Sequence, residues 1–438
     1  MTIERYDRQA RIPNWKQDKL DNATLVIIGE NAFSSYLSVA AAALGIGKIR
    51  IISSSVDPFP EQNQVFNLQI GKHPLEGILQ KINPLVHLDI YKTPFVINSE
   101  SYFLEGADFI VNATQRYNAI GISSVYALEK KIPFENVRFY GDAIAGLAGF
   151  LSVPHDDKNP QKLEKYRMRS CQQLDDLLAF VAAGAVLEEV KQGMMKEPES
   201  NRKLQYEFII NDTASYDIHA LVVGAGALGN IVASQLALLN VSKVTIFDPD
   251  TIEQVNLNRQ IWFYDAVGKP KAEVLAERIS EMGNGKYKGY VEKFTRKTKL
   301  DKYDLVFDCV DNFNVRLALS ESCAERKIPL ISGGTNYHSG QVVMQIPKKS
   351  ICVKHALNLE ELAAQHKEQE QEQREGCVYQ PDPSVIMSNL VVGTLMVHDM
   401  RQLVSQKAYG NPCNGIIKYN AKSPTRFGKI ELGDICDH

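Results

Sequence analysis

The sequence has no run of basic residues, although charged side chains fill 23% of its 438 positions. Lys and Arg number 49 against 52 Asp and Glu, a formal net charge of −3. So balanced a chain lacks the clustered positive field that holds nucleic acid or an anionic membrane, and neither is expected as a partner. Long apolar runs are missing too. Stretches such as "YLSVAAAALGIGKIRII" are broken by Lys48 and Arg50 before the roughly 20 residues that a bilayer demands. The opening "MTIERYDRQARIPNWKQDKLDN" is polar and charged, unlike a signal peptide. The seven cysteines are scattered and odd in number, which argues against a disulfide framework. These absences together point to a cytoplasmic protein. A hydrophobic content of 44% is ordinary for a globular chain, and the length allows two domains, each with a substantial core.

Glycine is missing at one telling place. "IIGENAFSS" (27–35) runs as a strand into Gly29, but Asn31 and Ser34 stand where a nucleotide loop needs two more glycines. An intact version, "VVGAGALGN", lies at 222–230. Aligned from these loops, "GENAFSSYLSVAAAALGIGKIRIIS" (29–53) and "GAGALGNIVASQLALLNVSKVTIFD" (224–248) share one plan. Each reads as a glycine turn, an amphipathic helix, a short turn ending in Lys48 or Lys243, and a β-branched strand. Further on, "ADFIVNATQRYNAI" (107–120) parallels "YDLVFDCVDNFNVR" (303–316), and "KKIPFENVRFYGD" parallels "RKIPLISGGTNYH". A late helix and a last strand also recur. The expected fold is therefore α/β, with two tandem Rossmann-like domains at 1–210 and 211–438. The charged "HKEQEQEQREG" (366–376) occurs only in the second half and reads as a solvated helix or mobile crossover, within a segment of about 347–384.

The intact loop suggests a phosphate cradle. Gly224 permits the tight turn, Gly226 lets a phosphate approach the backbone, and Gly229 lets the helix pack closely. The helix that starts there offers free N–H groups to an anion. Asp248 ends the next strand, where a carboxylate can accept hydrogen bonds from ribose hydroxyls. Alone, this pattern fits NAD as well as ATP. "NLNRQIWF" (256–263) and "GKPKA" (268–272) add Arg259 and Lys271, with Asn256, Asn258 and Gln260 as neutral donors. Three phosphates carrying about four negative charges call for such cations more than a dinucleotide pyrophosphate does. "DCVDN" (308–312) then supplies Asp311 and Asn312, oxygen ligands suited to magnesium. Each residue alone could equally be a solvated charge or a helix cap. Their joint placement at strand ends, where open α/β sheets bind ligands, favours a site.

The glycine loop, "FDPDTIEQVNLNRQIWF", "VGKPKA" and "DCVDN" together resemble the adenylating enzymes of the ThiF, MoeB and ubiquitin-activating superfamily. The resemblance covers nearly the whole chain and is most specific over 224–316. It implies use of magnesium ATP to adenylate the C-terminal carboxylate of a ubiquitin-like protein ending in Gly-Gly. By that resemblance Asp248 holds the ribose, Asn256, Arg259, Gln260 and Lys271 the phosphates, and Asp311 the magnesium ion. In the first half, Ser53 stands in place of Asp248, Gln115 in place of Asp311, and "QNQVF" in place of "NLNRQ". That copy has lost its ribose, phosphate and metal groups together. It is expected to bind no ATP and to serve as the partner domain of an intramolecular pseudo-dimer. "RYDRQARI" (5–12) occurs once, and the resemblance makes it an arm whose Arg8 crosses to the ATP phosphates.

Of the cysteines, Cys309 and Cys323 fall in apolar patterns and are expected to be buried and inert, and neither Cys171 nor Cys413 suggests a role. Cys377, in "REGCVYQPDP", stands where the resemblance implies a thiol that takes the acyl group as a thioester and passes it to a conjugating enzyme. "CVKH" and "CDH" supply Cys352, His355, Cys436 and His438 where many relatives hold a structural zinc ion with paired cysteines. Two Cys and two His can also close a tetrahedral site. Within adenylation, the rivals are sulfur transfer, with Cys377 as a persulfide, and modification of a small ribosomal peptide. An inactive scaffold is a rival of another class. A nicotinamide dehydrogenase is the weakest, since no segment reads as a hydride-transfer domain. No ubiquitin-fold domain follows residue 438, so a conjugating enzyme is expected to dock elsewhere.

Overall fold

The structure, a computed structural model, describes residues 2–52, 69–70, 73–114, 116–142, 147–154, 176–197, 204–209, 216–365, 382–404, 413–433 and 435–437. It divides into two compact units. One comprises Pro13–Asp212 with Lys422–Thr425, and the other Met1–Ile12, Thr213–Ala421 and Arg426–His438. Among the described residues, no helix is long and apolar enough to cross a membrane.

The first unit contains β1 (Thr24–Ile28), β2 (Lys48–Ile52), a separate hairpin of β3 (Gln69–Ile70) and β4 (His73–Pro74), β5 (His87–Tyr91), β6 (Phe109–Asn112), β7 (Phe134–Asp142), β8 (Leu147–Pro154) and β9 (Leu204–Ile209). Seven of these form one sheet in the order β5-β2-β1-β6-β7-β8-β9. The pairs from β5 to β7 are parallel, and those from β7 to β9 antiparallel. In β1 and β6 the runs "LVII" and "FIVN" are buried throughout, as expected of central parallel strands covered on both faces. The helix Ala32–Leu44 leaves the turn after β1, and Gly45 ends it in the left-handed conformation (φ 93°). Gly45 donates its N–H to the last-turn carbonyls of Ala41 and Ala42, which would otherwise be orphaned.

The second unit repeats this plan. Its strands are β10 (His219–Val223), β11 (Lys243–Phe247), β12 (Lys286–Tyr290), β13 (Leu305–Asp308), β14 (Leu330–Thr335), β15 (Ser339–Gln345), β16 (Gly415–Asn420) and β17 (Phe427–Glu431). Their order, β12-β11-β10-β13-β14-β15-β16-β17, matches the first sheet strand for strand and adds β17 at the edge. Parallel pairing again runs as far as β14 and antiparallel pairing follows. A core of Leu221, Val223, Phe247, Val306, Leu319 and Leu330 joins strands to helices. Strand order reverses at β10, between β11 and β13, so a ligand crevice opens beyond the carboxyl ends of β10 and β13.

Residues 1–12, expected as an arm that precedes the first domain and crosses to the second, group with the second unit. The helix Thr2–Ala10 belongs to the second unit because its polar side chains bond there. Arg5 donates to the Leu257 carbonyl at 3.3 Å, and Asn258 donates to Gln9 Oε1 at 2.9 Å.

The helix Ile386–Val404 carries a fully buried His398 and Asp399. Burial depresses the imidazole to about 3 and raises the Asp399 carboxyl to about 7, with Lys429 opposing the latter shift. A carboxyl raised in this way keeps its proton in the fold where an unfolded aspartate, with pKa about 3.9, has lost it. Its contribution to stability is therefore complete below about pH 4 and is lost as pH rises through 7. Asp399→Asn should remove that loss. Chemical denaturation should show the variant gaining about 2–3 kcal/mol on wild type between pH 5 and pH 8. A constant difference across that range would refute the shift.

Candidate functional site

At the end of β10, Gly224 turns with φ +97°, and a Cβ there would lie 2.7 Å from the Cys309 carbonyl oxygen. A Cβ at Gly229 would lie 1.9 Å from the Gly224 oxygen, so the helix Ala227–Leu238 can start this close only without a side chain. Gly226 differs. A Cβ on it would meet nothing within 4 Å, and no side chain caps the helix that it begins. The helix start thus lacks a side-chain cap and has room beside Gly226, an arrangement that can receive an anion.

The first unit closes the same corner with its own side chains. Asn31 Oδ1 accepts from the Ser34 N–H at 3.0 Å, and its amide donates to the Ala113 carbonyl at 3.2 Å. Ser34 Oγ donates to the Gly29 carbonyl at 2.8 Å. The Ser34 N–H in the first turn of that helix is thus satisfied by its own N-cap. Ser53, Gln115 and residues 62–66 lie outside the described residues.

Asp248, at the end of β11, is 6% exposed. Its Oδ2 accepts from the Ala225 N–H at 2.6 Å and its Oδ1 from the Asp250 N–H at 2.8 Å. Burial raises its pKa, and those two bonds oppose the rise. Each oxygen retains acceptor capacity for a hydroxyl. The carboxylate therefore fixes the glycine loop and can still bind a sugar.

The segment 256–263 is tied to the loop helix by the Trp262 N–H, which donates to Asn230 Oδ1 at 3.1 Å. Arg259 is buried, and its Nη1 donates to the Val255 carbonyl and to Asn258 Oδ1, both at 2.7 Å. Burial, then the neighbouring Arg8 charge, lowers its pKa to about 10, while Asp311 acts in the opposite direction. Arg8, Arg259 and Asp311 thus share one field. Arg8 also donates to the Asp382 carbonyl at 3.0 Å. Lys271 is paired with Asp250 at 2.9 Å, a partner 21 residues earlier in "DPD". Asn256 Oδ1 accepts from the Glu253 N–H and shapes the local turn. Gln260 is buried, and its Oε1 has no hydrogen-bond partner among the described residues. Asp311 is exposed. Asn312 caps the helix Phe313–Glu325, its Oδ1 accepting from the N–H groups of Asn314 and Val315. An uncapped helix start, open room at Gly226, three nearby cations and the exposed Asp311 carboxylate fit a polyphosphate carrying a divalent cation.

A second cluster lies near the chain's end. His355 Nδ1 is 3.1 Å from Cys352 Sγ and 3.2 Å from Cys436 Sγ, and the Cys352 N–H donates to Cys436 Sγ. These three donors lie within 4.8 Å of one another. Burial raises Cys352 to about 11, so loss of its proton at neutral pH would need a cation beside it. His438, Cys171 and Cys377 lie outside the described residues. Cys309 and Cys323 are buried, and burial raises Cys323 to about 12, consistent with inert thiols.

Two parallel-dominated sheets, with a glycine turn at the switch of strand order, define a mixed α/β protein of the Rossmann-like class. The ThiF family profile matches residues 201–434, more than half of the chain, and the chain belongs to that family. The molybdopterin-synthase adenylyltransferase of Escherichia coli (strain K12) is 32% identical over 133 residues, covering 29% of this chain and 53% of the relative. Ubiquitin-like modifier-activating enzyme 5 of Dictyostelium discoideum is 28% identical over 155 residues, 31% of this chain and 40% of the relative. Adenylyltransferase and sulfurtransferase MOCS3 of Caenorhabditis briggsae is 34% identical over 132 residues, 28% and 32% respectively. The chain thus spans about half the length of these relatives, or less. A solved structure of E. coli MccB with ATP aligns over 50% of this chain and 64% of that one, at 21% identity and a TM-score of 0.41.

The two loop glycines should respond differently to a methyl group. Gly229→Ala must displace backbone and should destabilise the protein by about 1–3 kcal/mol. Gly226→Ala, at φ −68° with room for a Cβ, should melt close to wild type. Equal melting temperatures for the two variants would contradict the packing described.

Proposed function

We propose that the chain uses magnesium ATP to adenylate the C-terminal glycine of a ubiquitin-like protein. The observation that carries this reading is the contrast between the two loops. In one, the helix that begins at Gly226 has no side-chain cap and a Cβ at Gly226 would meet nothing within 4 Å, and in the other Asn31 caps the corresponding helix while Ser34 bonds to the Gly29 carbonyl. In this reading the first unit is a partner copy that binds no nucleotide, and the second, with the arm bearing Arg8, is the working copy of a fused pseudo-dimer.

The substrate carboxylate attacks the α-phosphorus, the bond to the β-phosphate oxygen breaks, and pyrophosphate leaves with its electron pair. Asp248 holds the ribose, the N–H groups after Gly226 receive phosphate oxygens, and Arg8, Arg259 and Lys271 balance the charge that develops on the leaving group. Gln260 supplies polar contacts beside them, and Asn256 holds the turn that carries them. Asp311 would hold the magnesium ion, which supplies further charge neutralisation. Positioning and electrostatics drive this step without a covalent protein group. Cys377 then attacks the acyl carbon as a thiolate, AMP departs, and the thioester passes to a conjugating enzyme. The name of the MOCS3 relative supports a second reading, in which the adenylate is used for sulfur transfer. Cys352, His355, Cys436 and His438 are proposed to hold a structural zinc ion.

ATP–pyrophosphate exchange, with a ubiquitin-like protein ending in Gly-Gly as substrate, tests adenylation. Asp311→Ala should lower exchange by about 10²-fold or more. Full activity in that variant removes Asp311 from the reaction. Cys377→Ala should retain exchange yet lose a thiol-sensitive conjugate on a non-reducing gel. A wild type that forms no conjugate, but yields a thiocarboxylated protein when given a sulfur donor, decides for sulfur transfer. For zinc, elemental analysis should find the metal in wild type and not in Cys352→Ser/Cys436→Ser. Metal-free wild type of normal stability ends that assignment.

A further inference from the structure

The turn after β13 is held by a buried charge pair that the functional reading leaves unused. Asp308 is fully buried, and its Oδ2 lies 3.3 Å from Arg316 Nε. Ser332 Oγ links the two, donating to Asp308 Oδ2 at 2.6 Å and accepting from Arg316 Nη1 at 3.1 Å. Arg316 Nη2 donates to the carbonyls of Val310 and Gly333, the latter at 2.8 Å. Asp308 Oδ1 accepts from the Val310 N–H. Cys309 abuts Gly224, and Asn312 caps the next helix. Asp311 therefore sits on a peptide anchored on both sides, and one anchor is the Arg316 fork.

The first unit is an internal control. In the alignment of 107–120 with 303–316, Asn112 replaces Asp308 and Ile120 replaces Arg316. Asn112 satisfies itself with Ser123 Oγ at 3.2 Å and the Thr114 N–H at 2.8 Å. Val137 and Arg138 stand where Gly333 and Gly334 lie beside Arg316. The same strand and helix form without a charge in either position. The fold does not require the pair. Burying an ion pair brings little net stability, so its presence beside Asp311 calls for another reason.

We infer that Arg316 is a positioning residue that sets the Asp311 carboxylate for the metal of magnesium ATP. The inference rests on the adenylation reading. A group that orients a metal ligand typically changes metal affinity by roughly 10- to 100-fold when removed. AMP needs no metal to bind and should be indifferent to it.

The test is Asp308→Asn/Arg316→Ile in the full chain, which installs the first unit's pair and leaves no buried charge unpartnered. ATP binding is titrated against magnesium by calorimetry, with AMP affinity and thermal melting followed in parallel. The magnesium concentration at half-saturation should rise roughly 10-fold or more, with AMP affinity and melting close to wild type. An unchanged midpoint overturns the inference. A matching fall in AMP affinity also overturns it, because the role would then be structural. If the double variant does not melt cooperatively, Arg316→Lys decides. It keeps the charge but cannot reach both carbonyls with one planar fork, and should show the same shift. A wild-type midpoint for Arg316→Lys overturns the proposal. Wild-type protein that binds no adenine nucleotide fails the adenylation reading itself, a result distinct from all of these.

Discussion

The chemistry of the second unit depends on how closely the turn after β10 approaches the turn after β13. With a Cβ at Gly224 only 2.7 Å from the Cys309 oxygen, any side chain would force the two strand ends apart. That approach puts the open helix start at Gly226 and the turn carrying Asp311 on one side of the sheet. The first unit obeys the same constraint. A Cβ at Gly29 would lie 3.0–3.1 Å from Ala113 and Thr114. Close packing at the switch of strand order therefore belongs to the fold. What separates the units is whether the corner beside it is left open or filled.

Leaving it open has an electrostatic consequence. Arg259 is desolvated next to a second guanidinium, and its protonated form is disfavoured by both burial and Arg8. Lys271 is held off by Asp250, and Asp248 is buried yet kept acidic in part by two backbone N–H groups. Arg259 itself is held by neutral acceptors, the Val255 carbonyl and Asn258 Oδ1, and a phosphate would meet its charge without reorganisation. Asn31 and Ser34 remove the same need in the first unit, using neutral hydrogen bonds instead of a ligand. Spacing alone marks the missing glycines there, and the structure adds what replaces them.

The near-complete burial of the helices Asp176–Met195 and Ile386–Val404 has no counterpart in a simple amphipathic pattern. Their sequences, "DLLAFVAAGAVLEEVKQGMM" and "IMSNLVVGTLMVHDMRQLV", carry His398, Asp399, Glu188 and Glu189 into buried positions. A sequence window reports apolar content, whereas burial is set by everything packed around the helix. For that reason the burial of these titratable residues is not legible in the sequence.

The α/β alternation, its repetition and the glycine turn were legible from the sequence, because each is written in local periodicities of 3.6 and 2 and in the turn residues between them. The residues of 224–316 were legible as a set for the same reason, since the loop, the "NLNRQ" turn and the "DCVDN" turn all follow strand ends. Chain order alone does not show the particular partners of the first twelve residues, since Leu257, Asn258 and Asp382 lie far along the chain. That the helix beginning at Phe313 uses the Asn312 oxygen as its cap is likewise visible only in three dimensions. The Asp308–Arg316–Ser332 cluster escaped notice because Ser332 comes from another strand, and a hydrogen bond between strands leaves no spacing in the sequence. The sequence by itself determined which elements form and which residue types stand at their ends. Tertiary structure alone decided which of those residues are already satisfied by a neighbour, since that depends on distances of about 3 Å between groups that the chain order keeps apart.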